Sequence, residues 1–404
     1  MNVWVVDPRN YTPYYDYSLC KALAGMGLQV RWFTRHYSYD RIENRDGLTI
    51  EYAFDLPMPA ALGRDRLERS LVPLVYLPTL LGFVRRIQRD QPDILHIQWA
   101  PMPLVDWVLF RAVQNMSTRL VYTVHNILPH EERHWHTRFY RRLYESADQL
   151  IVHSDATARR LCQLFGVSED RVTAIVQGNL SDFAEVVSKQ EARRTLELDS
   201  EAKVLLFFGI IRPYKGLQCL LQAVHRVRRA IPDVRLLVVG HVHRNDSWSQ
   251  YSELIEQWGL DDVVTVHMTF VPHSQLGIYF GAADVVALPY VSATDSAVLT
   301  TAYSFGRPVV TTHVGGLPEI VEEGQSGRLV PPNDCEALAE ALVDLLSDST
   351  QLERMGNFAR YLADTRHAWP GIARATLEVY ESLYRYAHVH GTENDGLHLS
   401  PPID

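Results

Sequence analysis

Cysteine is scarce and scattered in this chain. Cys20, Cys162, Cys219 and Cys335 stand far apart, with no C-x-x-C pair. The spacing offers neither a zinc site nor a disulfide framework and reads as a protein of a reducing, cytosolic compartment. Long apolar runs are missing too. The most apolar stretch, Leu71 to Val84, covers 14 residues and contains Pro73 and Pro78, short of the roughly 20 that cross a bilayer. The start, Met1-Asn2-Val3-Trp4, has no basic region and reaches Asp7 at once, unlike a secretory signal. An excess of positive charge is also absent: the net charge is −9, with 24 basic and 24 acidic residues in 1–200 against 15 and 24 in 201–404. A broad nucleic-acid-binding face is therefore disfavoured. No repeat of solenoid length is visible.

What is present is a rhythm. Short apolar, β-branched runs (Val3–Val6, Val30–Phe33, Ile94–Ile97, Leu120–Val124, Leu150–Val152, Val172–Val176) alternate with helical stretches. A second series follows at Val204–Phe208, Val234–Val239, Val263–Met268, Val285–Leu288 and Val309–Thr311. Continuous apolar runs imply strands buried on both faces, and their alternation with helices implies parallel sheets. At 404 residues two such series predict two doubly wound α/β domains. The expected division is 1–180 and 202–368, with a linker at 181–201, a last helix over 369–386 and a disordered tail at 388–404.

Chemistry gathers after two strands of the second series. Gly209-Ile210-Ile211-Arg212-Pro213-Tyr214-Lys215-Gly216 delivers two cations at a strand's C-terminal end. Ligands of parallel sheets sit at that end, and a fork-shaped Arg beside a point-charged Lys suits a departing diphosphate. Cations are otherwise disfavoured at the positive end of the helix that follows. The run Thr294-Asp295-Ser296-Ala297-Val298 opens a second helix, whose free amides form an anion cradle and whose start Thr294 or Asp295 is placed to cap. The pair Gly315-Gly316 suits a close backbone approach or simply a turn.

Five blocks, I-R-P-Y-K-G, A-A-D-V-V-A-L-P-Y, A-Y-S-F-G-R-P-V-V, V-G-G-L-P-E-I-V and E-G-Q-S-G-R-L-V-P-P-N-D, occur in order between Ile210 and about Leu346. In them the chain resembles the donor-binding domain of glycosyltransferase family 4. Residues 1–180 match more loosely, through P-D-I-L-H-I-Q-W, Y-T-V-H-N-I-L-P-H-E, A-D-Q-L-I-V-H-S and V-Q-G-N. The resemblance implies a GT-B fold: two facing Rossmann-like domains, with the C-terminal helix crossing back to the first. It implies a retaining transfer of a hexose from a nucleotide diphosphate sugar, with no metal and no cofactor. The acceptor is expected to be a glycan or a lipid-linked molecule.

Carried over by position, Lys215 matches the family lysine on the diphosphate, with Arg212 and Gly209 beside it. Ser296, Ala297 and Val298 match the backbone cradle, and Phe270 and Val271 flank the base. His125, followed by Asn126, matches the histidine facing the donor sugar, although a histidine ending an apolar strand also reads as structural. His96, Trp99, Asn126, His130 and Glu131 are candidates for the acceptor side, where core packing and capping explain them equally well.

Three features of the family pattern are missing. The two glutamates flanking the cradle align with Ala293 and Thr301, leaving Asp295 as the nearest carboxylate. The arginine five residues before the lysine aligns with Ile210. The glycine-rich turn after the first strand is replaced by Asp7-Pro8-Arg9-Asn10-Tyr11-Thr12. A working transferase is the preferred reading, with a catalytically inactive GT-B binding or partner module as the alternative and a sugar-nucleotide epimerase as a third. The clusters Arg85, Arg86, Arg89 and Arg133, Trp135, Arg138, Phe139, Tyr140, Arg141, Arg142, Tyr144 mix cations with aromatics, as peripheral contact with an anionic membrane requires. Arginine stems lying along the domain's own apolar surface account for the same pattern.

Overall fold

A computed structural model describes residues 1–391 apart from 38, 41, 43, 45, 56–66, 130–134, 244 and 245. Among these described residues the first half forms a parallel sheet of seven strands: β1 (Asn2–Val6), β2 (Gln29–Phe33), β3 (Thr49–Glu51), β4 (Ile94–Ile97), β5 (Arg119–Thr123), β6 (Gln149–Val152) and β7 (Val172–Ala174), in the order β3-β2-β1-β4-β5-β6-β7. The second half repeats the plan with six: β8 (Lys203–Phe208), β9 (Val234–Val239), β10 (Val264–His267), β11 (Val285–Leu288), β12 (Val309–Thr312) and β13 (Gly327–Val330), in the order β10-β9-β8-β11-β12-β13. All neighbouring strands pair in parallel.

The apolar runs explain the central strands. Every residue of β4, β11 and β12 is buried because helices cover both faces. On the helix Leu217–Ala230, Leu217, Leu220, Leu221, Val224 and Val227 form one buried stripe, each contributing about 1.5–3 kcal/mol. The edge strands β3 and β13 escape the apolar pattern because they are short and only partly buried.

The stretch Leu71–Val84 lies in a helix, Leu67–Asp90, whose Tyr76, Leu80, Phe83, Val84 and Ile87 enter the first core. The last helix, Trp369–Gly391, packs on the first domain, with Trp369, Ile372, Ala373, Val379 and Tyr380 against Val3, Val5, Tyr15, Ile94 and Val121. Its crossing point is pinned by Trp369 Nε1, which donates to Asn179 O at 2.7 Å. A Cβ on Gly178 would collide with the Trp369 ring.

Two sequence expectations are corrected. Residues 388–391, read as disordered tail, continue the last helix because no breaker intervenes before Gly391; 392–404 lie outside the described residues. Cys219 and Cys335, 116 residues apart, form a disulfide. Spacing concealed the pair, which meets because the helices Leu217–Ala230 and Cys335–Ser347 pack side by side. Among the described residues, no helix is long and apolar enough to cross a membrane.

Candidate functional site

Each sheet reverses its strand order once, between β1 and β4 and between β8 and β11. Crevices open at such switch points, beyond the strands' C-terminal ends. The loops at the two crevices meet across the interdomain cleft.

On the second domain, Gly209 leaves β8 at φ +103°, and a Cβ there would lie 2.8 Å from Lys215 Nζ and 3.7 Å from Val298 Cγ2. The missing side chain thus seats the ammonium beside the start of the helix Ala297–Ser304. Gly216, at φ +72°, has no room for a Cβ against Pro289 O, so the loops after β8 and β11 interlock. Lys215 is buried, its Nζ 5.3 Å from the Tyr290 ring centroid. Among the described residues no carboxylate pairs with it, and burial pulls its ammonium below the usual lysine range. Tyr290 OH lies 3.3 Å from Ser296 Oγ, and burial pushes the phenol up to about 12.

Ser296 caps the helix by accepting from Leu299 N at 3.4 Å. The amides of Ala297 and Val298, at the first turn, have no helical partner by geometry. Thr301 donates to Ala297 O at 2.7 Å and is buried. Arg212 is held at the rim, 3.2 Å from His243 Nδ1 and 3.9 Å from Asp246 Oδ2. Phe270 faces Tyr39 and Tyr37 of the first domain, with ring centroids 5.2 and 6.4 Å away. Val271 sits in the second domain's core.

Asp295 is engaged by the first domain. Its Oδ2 accepts from Thr157 Oγ1 of the first domain at 3.4 Å, while the buried Oδ1 has no partner. Desolvation, the largest cause, raises its carboxyl to about 7, with Glu319 adding repulsion and Ser154 and Thr157 opposing. A Cβ on Gly316 would collide with both Asp295 and Ser154. The glycine pair thereby admits a contact between domains. Glu319 completes it by accepting from the N–H groups of Asp155 and Ala156, both at 2.7 Å, and from Arg159 at 3.2 Å. Farther along, Tyr14 stacks on His273 at 3.3 Å, and Asp40 accepts from His273 N at 3.1 Å.

On the first domain, Asp7 organises the turn after β1. Its carboxylate accepts from the N–H groups of Arg9, Tyr11 and Thr12 at 3.1, 2.6 and 3.2 Å. Trp99 donates to Thr12 Oγ1 at 2.9 Å and stacks on His125 at 4.9 Å. The half-buried His125 has both ring nitrogens engaged, Nδ1 with His153 Nε2 at 3.0 Å and Nε2 with Gln98 at 3.1 Å. Burial, then His153 and His96, hold its pKa well below the usual histidine range. His96 is buried, with Tyr380 OH and Thr123 Oγ1 each at 2.6 Å from its nitrogens. Its contacts tie the sheet to the last helix. Asn126 is half-buried beside His125. His130 and Glu131 lie outside the described residues.

Sequence reasoning missed Gln98, His153, Ser154 and Glu319. The available signal was positional: Gln98, His125 and His153 are polar residues just past the C-terminal ends of three adjacent strands. A cavity of about 690 Å³ spans the cleft between Ile127, Leu128 and Arg160 on one side and Val291, Ala293 and Gly315 on the other. Among the described residues no cluster of three His, Cys, Asp or Glu is arranged to hold a metal.

Two family models match the chain, "Glycosyltransferase Family 4" over residues 15–178 and "Glycosyl transferases group 1" over 202–348. A relative from Catenulispora acidiphila, named D-inositol 3-phosphate glycosyltransferase 2, is 33% identical over 94% of this chain and 89% of its own. One from Corynebacterium urealyticum, named D-inositol 3-phosphate glycosyltransferase, is 29% identical over 91% and 90%. Among solved structures, sucrose-phosphate synthase from Thermosynechococcus elongatus superposes with TM-score 0.76 at 23% identity, covering 95% of this chain and 99% of that one. Anabaena HepE, in complex with UDP and glucose, gives 0.73 at 19%, covering 95% and 100%. The fold shared with them is GT-B.

Proposed function

The chain belongs to glycosyltransferase family 4 and is a glycosyltransferase, and from that premise we propose that it moves a hexose, with retention, from a nucleoside diphosphate sugar to a glycan or lipid-linked acceptor. The observation that carries the donor assignment is Lys215, a buried ammonium with no carboxylate partner among the described residues, seated over Gly209 at the first turn of the helix Ala297–Ser304. An unpaired charge is costly to bury unless a counter-charge arrives. The diphosphate supplies it. Two free amides of the helix start and the ammonium converge on one anion, and their attraction grows as the leaving phosphate gains charge.

In this reading neither Ala293 nor Thr301 contributes a carboxylate, and Asp295 is spent on the domain contact. Acceptor deprotonation then falls to the leaving phosphate on the same sugar face, and the protein contributes position and field. Phe270 borders the base, with Tyr39 and Tyr37 across the cleft. The acceptor enters from the first domain through the cavity bounded by Ile127, Leu128 and Arg160. No step requires a metal or cofactor. The relatives' names, and the UDP in the HepE complex, make UDP sugars and phosphorylated polyols the first compounds to try.

Membrane contact is proposed on a smaller surface than the sequence implied. Arg86 is paired with Glu51 at 2.6 Å, Arg141 donates to the carbonyls of Phe165 and Leu164, Arg142 lies over Trp107 and Phe139, and Tyr144 is buried. Arg133 lies outside the described residues. Arg85, Arg89, Trp135, Arg138, Leu104, Leu77 and Leu81 remain exposed on or beside three neighbouring helices, Arg89 paired with Asp90.

The test is a panel of sugar nucleotides assayed for binding and for nucleoside diphosphate release, with and without acceptor extracts and with a chelator present. Chelator-insensitive release supports the proposal. Binding without release under every condition moves the chain to the inactive-module reading.

A further inference from the structure

His153, Gln98 and His96 form one connected line with His125. At one end His153 Nδ1 lies 3.1 Å from Ile175 O. A carbonyl oxygen only accepts, so Nδ1 carries the proton. Burial holds His153 neutral, its pKa lowered to about 4, and a neutral ring has one N–H. Its Nε2 is therefore an acceptor. Opposite it, 3.0 Å away, His125 Nδ1 must donate.

The consequence passes along the line. His125 is neutral as well, so its Nε2 is bare. The end of the Gln98 side chain at 3.1 Å from it has to be a donor, because Oε1 in that place would set two acceptors face to face. The two ends of a carboxamide exchange by a half-turn, and the hydrogen-bond network decides between them. Gln98 accordingly gives an N–H to His125 and its oxygen to His96 Nε2, the neighbour at 3.2 Å. His96 then donates from Nε2, and its Nδ1 accepts from Tyr380 OH at 2.6 Å. With the His96 Nε2 proton shared between the Gln98 oxygen and Thr123 Oγ1, the latter 2.6 Å away, every contact has a donor and an acceptor with all three rings neutral. The opposite direction would set the bare Nδ1 of His153 against a carbonyl.

We propose that His153 is a positioning residue that fixes His125 as the Nδ1–H tautomer, so that His125 meets the donor sugar through a bare Nε2 that accepts a hydroxyl proton, the hydroxyl replacing the Gln98 N–H. The inference rests on the reading above for the sugar's place, whereas the tautomer itself rests on the geometry alone. Nδ1 of His125 points to the interior and is held by His153. Nε2 is held by Gln98, itself fully buried, so in this proposal the sugar hydroxyl reaches it when Gln98 turns aside. A sugar hydroxyl is both donor and acceptor, and the bare nitrogen selects its donor face.

The experiment uses the full-length chain with 15N-labelled histidine and long-range proton–nitrogen correlation spectra, His125 being identified by the signals lost in His125→Gln. The expected wild-type spectrum shows His125 protonated at Nδ1 and bare at Nε2. In His153→Leu the acceptor is gone, and the His125 signals should shift to a tautomer mixture or to Nε2–H. Donor turnover should fall about ten- to a hundredfold in kcat with donor KM little changed. His153→Gln, which restores an acceptor, should recover both tautomer and kcat. A wild-type His125 protonated at Nε2 overturns the proposal. So does an unchanged tautomer in His153→Leu, or a changed tautomer with undiminished kcat. Should His153→Leu fail to fold, the wild-type spectrum alone still decides the tautomer. An expected spectrum in a wild-type protein that turns over no donor contradicts the transfer reading and upholds the tautomer assignment.

Discussion

Glu319 and Ala156 belong to different domains, and the carboxylate of one accepts the backbone N–H of the other at 2.7 Å. With Asp155 N at the same distance, Glu319 caps the helix Asp155–Phe165 from across the cleft. The helix has its own cap in Ser154, so Glu319 adds a charge at the positive end of the dipole and not the cap itself.

Removing that charge should loosen the closed arrangement without unfolding either domain. Glu319→Ala is expected to cost about 1 kcal/mol of interdomain contact. Small-angle scattering should show a larger radius of gyration than wild type, returning towards it with bound donor. Identical scattering curves would mean that other contacts, such as Tyr14 on His273, suffice to hold the cleft.

Asp295 gives the same contact a pH dependence. Its folded-state carboxyl is raised to about 7, above the value in an unfolded chain. Between about pH 4 and 7 the folded protein therefore binds the extra proton, and this group's contribution to stability falls as pH rises through that window. Buried histidines such as His96 and His153, lowered to about 3 and about 4, push the other way. The difference between wild type and Asp295→Asn isolates the carboxylate. The Tm of wild type minus that of the variant should decrease from pH 5 to pH 8, and a flat difference would refute the raised carboxyl.

Much of this was legible in the residues, and the boundary has physical causes. Central strands such as Ile94–Ile97 and Val285–Leu288 announce themselves because burial on both faces demands continuous apolar runs. The loop that carries Lys215 and the helix start near Ser296 were legible because each is local in sequence, although the cap read as Thr294 or Asp295 is Ser296. Edge strands Thr49–Glu51 and Gly327–Val330, half solvated, carry no such run. Contacts between distant segments left no local trace. Asp295 reads as a substitute for a lost glutamate until its partner Thr157 is seen, and Cys219 reads as a lone thiol until Cys335 is beside it. His153 is one histidine among 17 in the sequence, given meaning only by the neighbouring strand that carries His125.

The disulfide makes a prediction that needs only chemistry. Thiol titration of the unfolded chain without reductant should find the thiols of Cys20 and Cys162 and none from Cys219 or Cys335. Closing a loop of this length stabilises by up to about 4–5 kcal/mol in the chain-entropy model, so Cys219→Ala should lower the unfolding midpoint. Four titratable thiols would show the two residues to be adjacent but unbonded.

For the membrane proposal, the wild type should co-sediment with anionic vesicles at low salt and less so at physiological salt. Trp135→Glu and Arg138→Glu should each reduce the pelleted fraction, since one removes an interfacial aromatic and both oppose the surface charge. Equal recovery in the supernatant with and without vesicles at both salts would leave the exposed residues without this role.

The central claim is that the buried ammonium of Lys215 meets the donor diphosphate, and nucleoside diphosphate release by Lys215→Ala tests it most directly. Losing charge stabilisation of this kind costs roughly 3 kcal/mol, about two orders of magnitude in rate. The same substitution removes a buried cation that no carboxylate pairs with among the described residues, so the unfolding midpoint should hold or rise. Arg212→Ala should lower release in the same direction. Release reduced a hundredfold or more in a Lys215→Ala protein of undiminished stability is the predicted result, and release at the wild-type rate would contradict it.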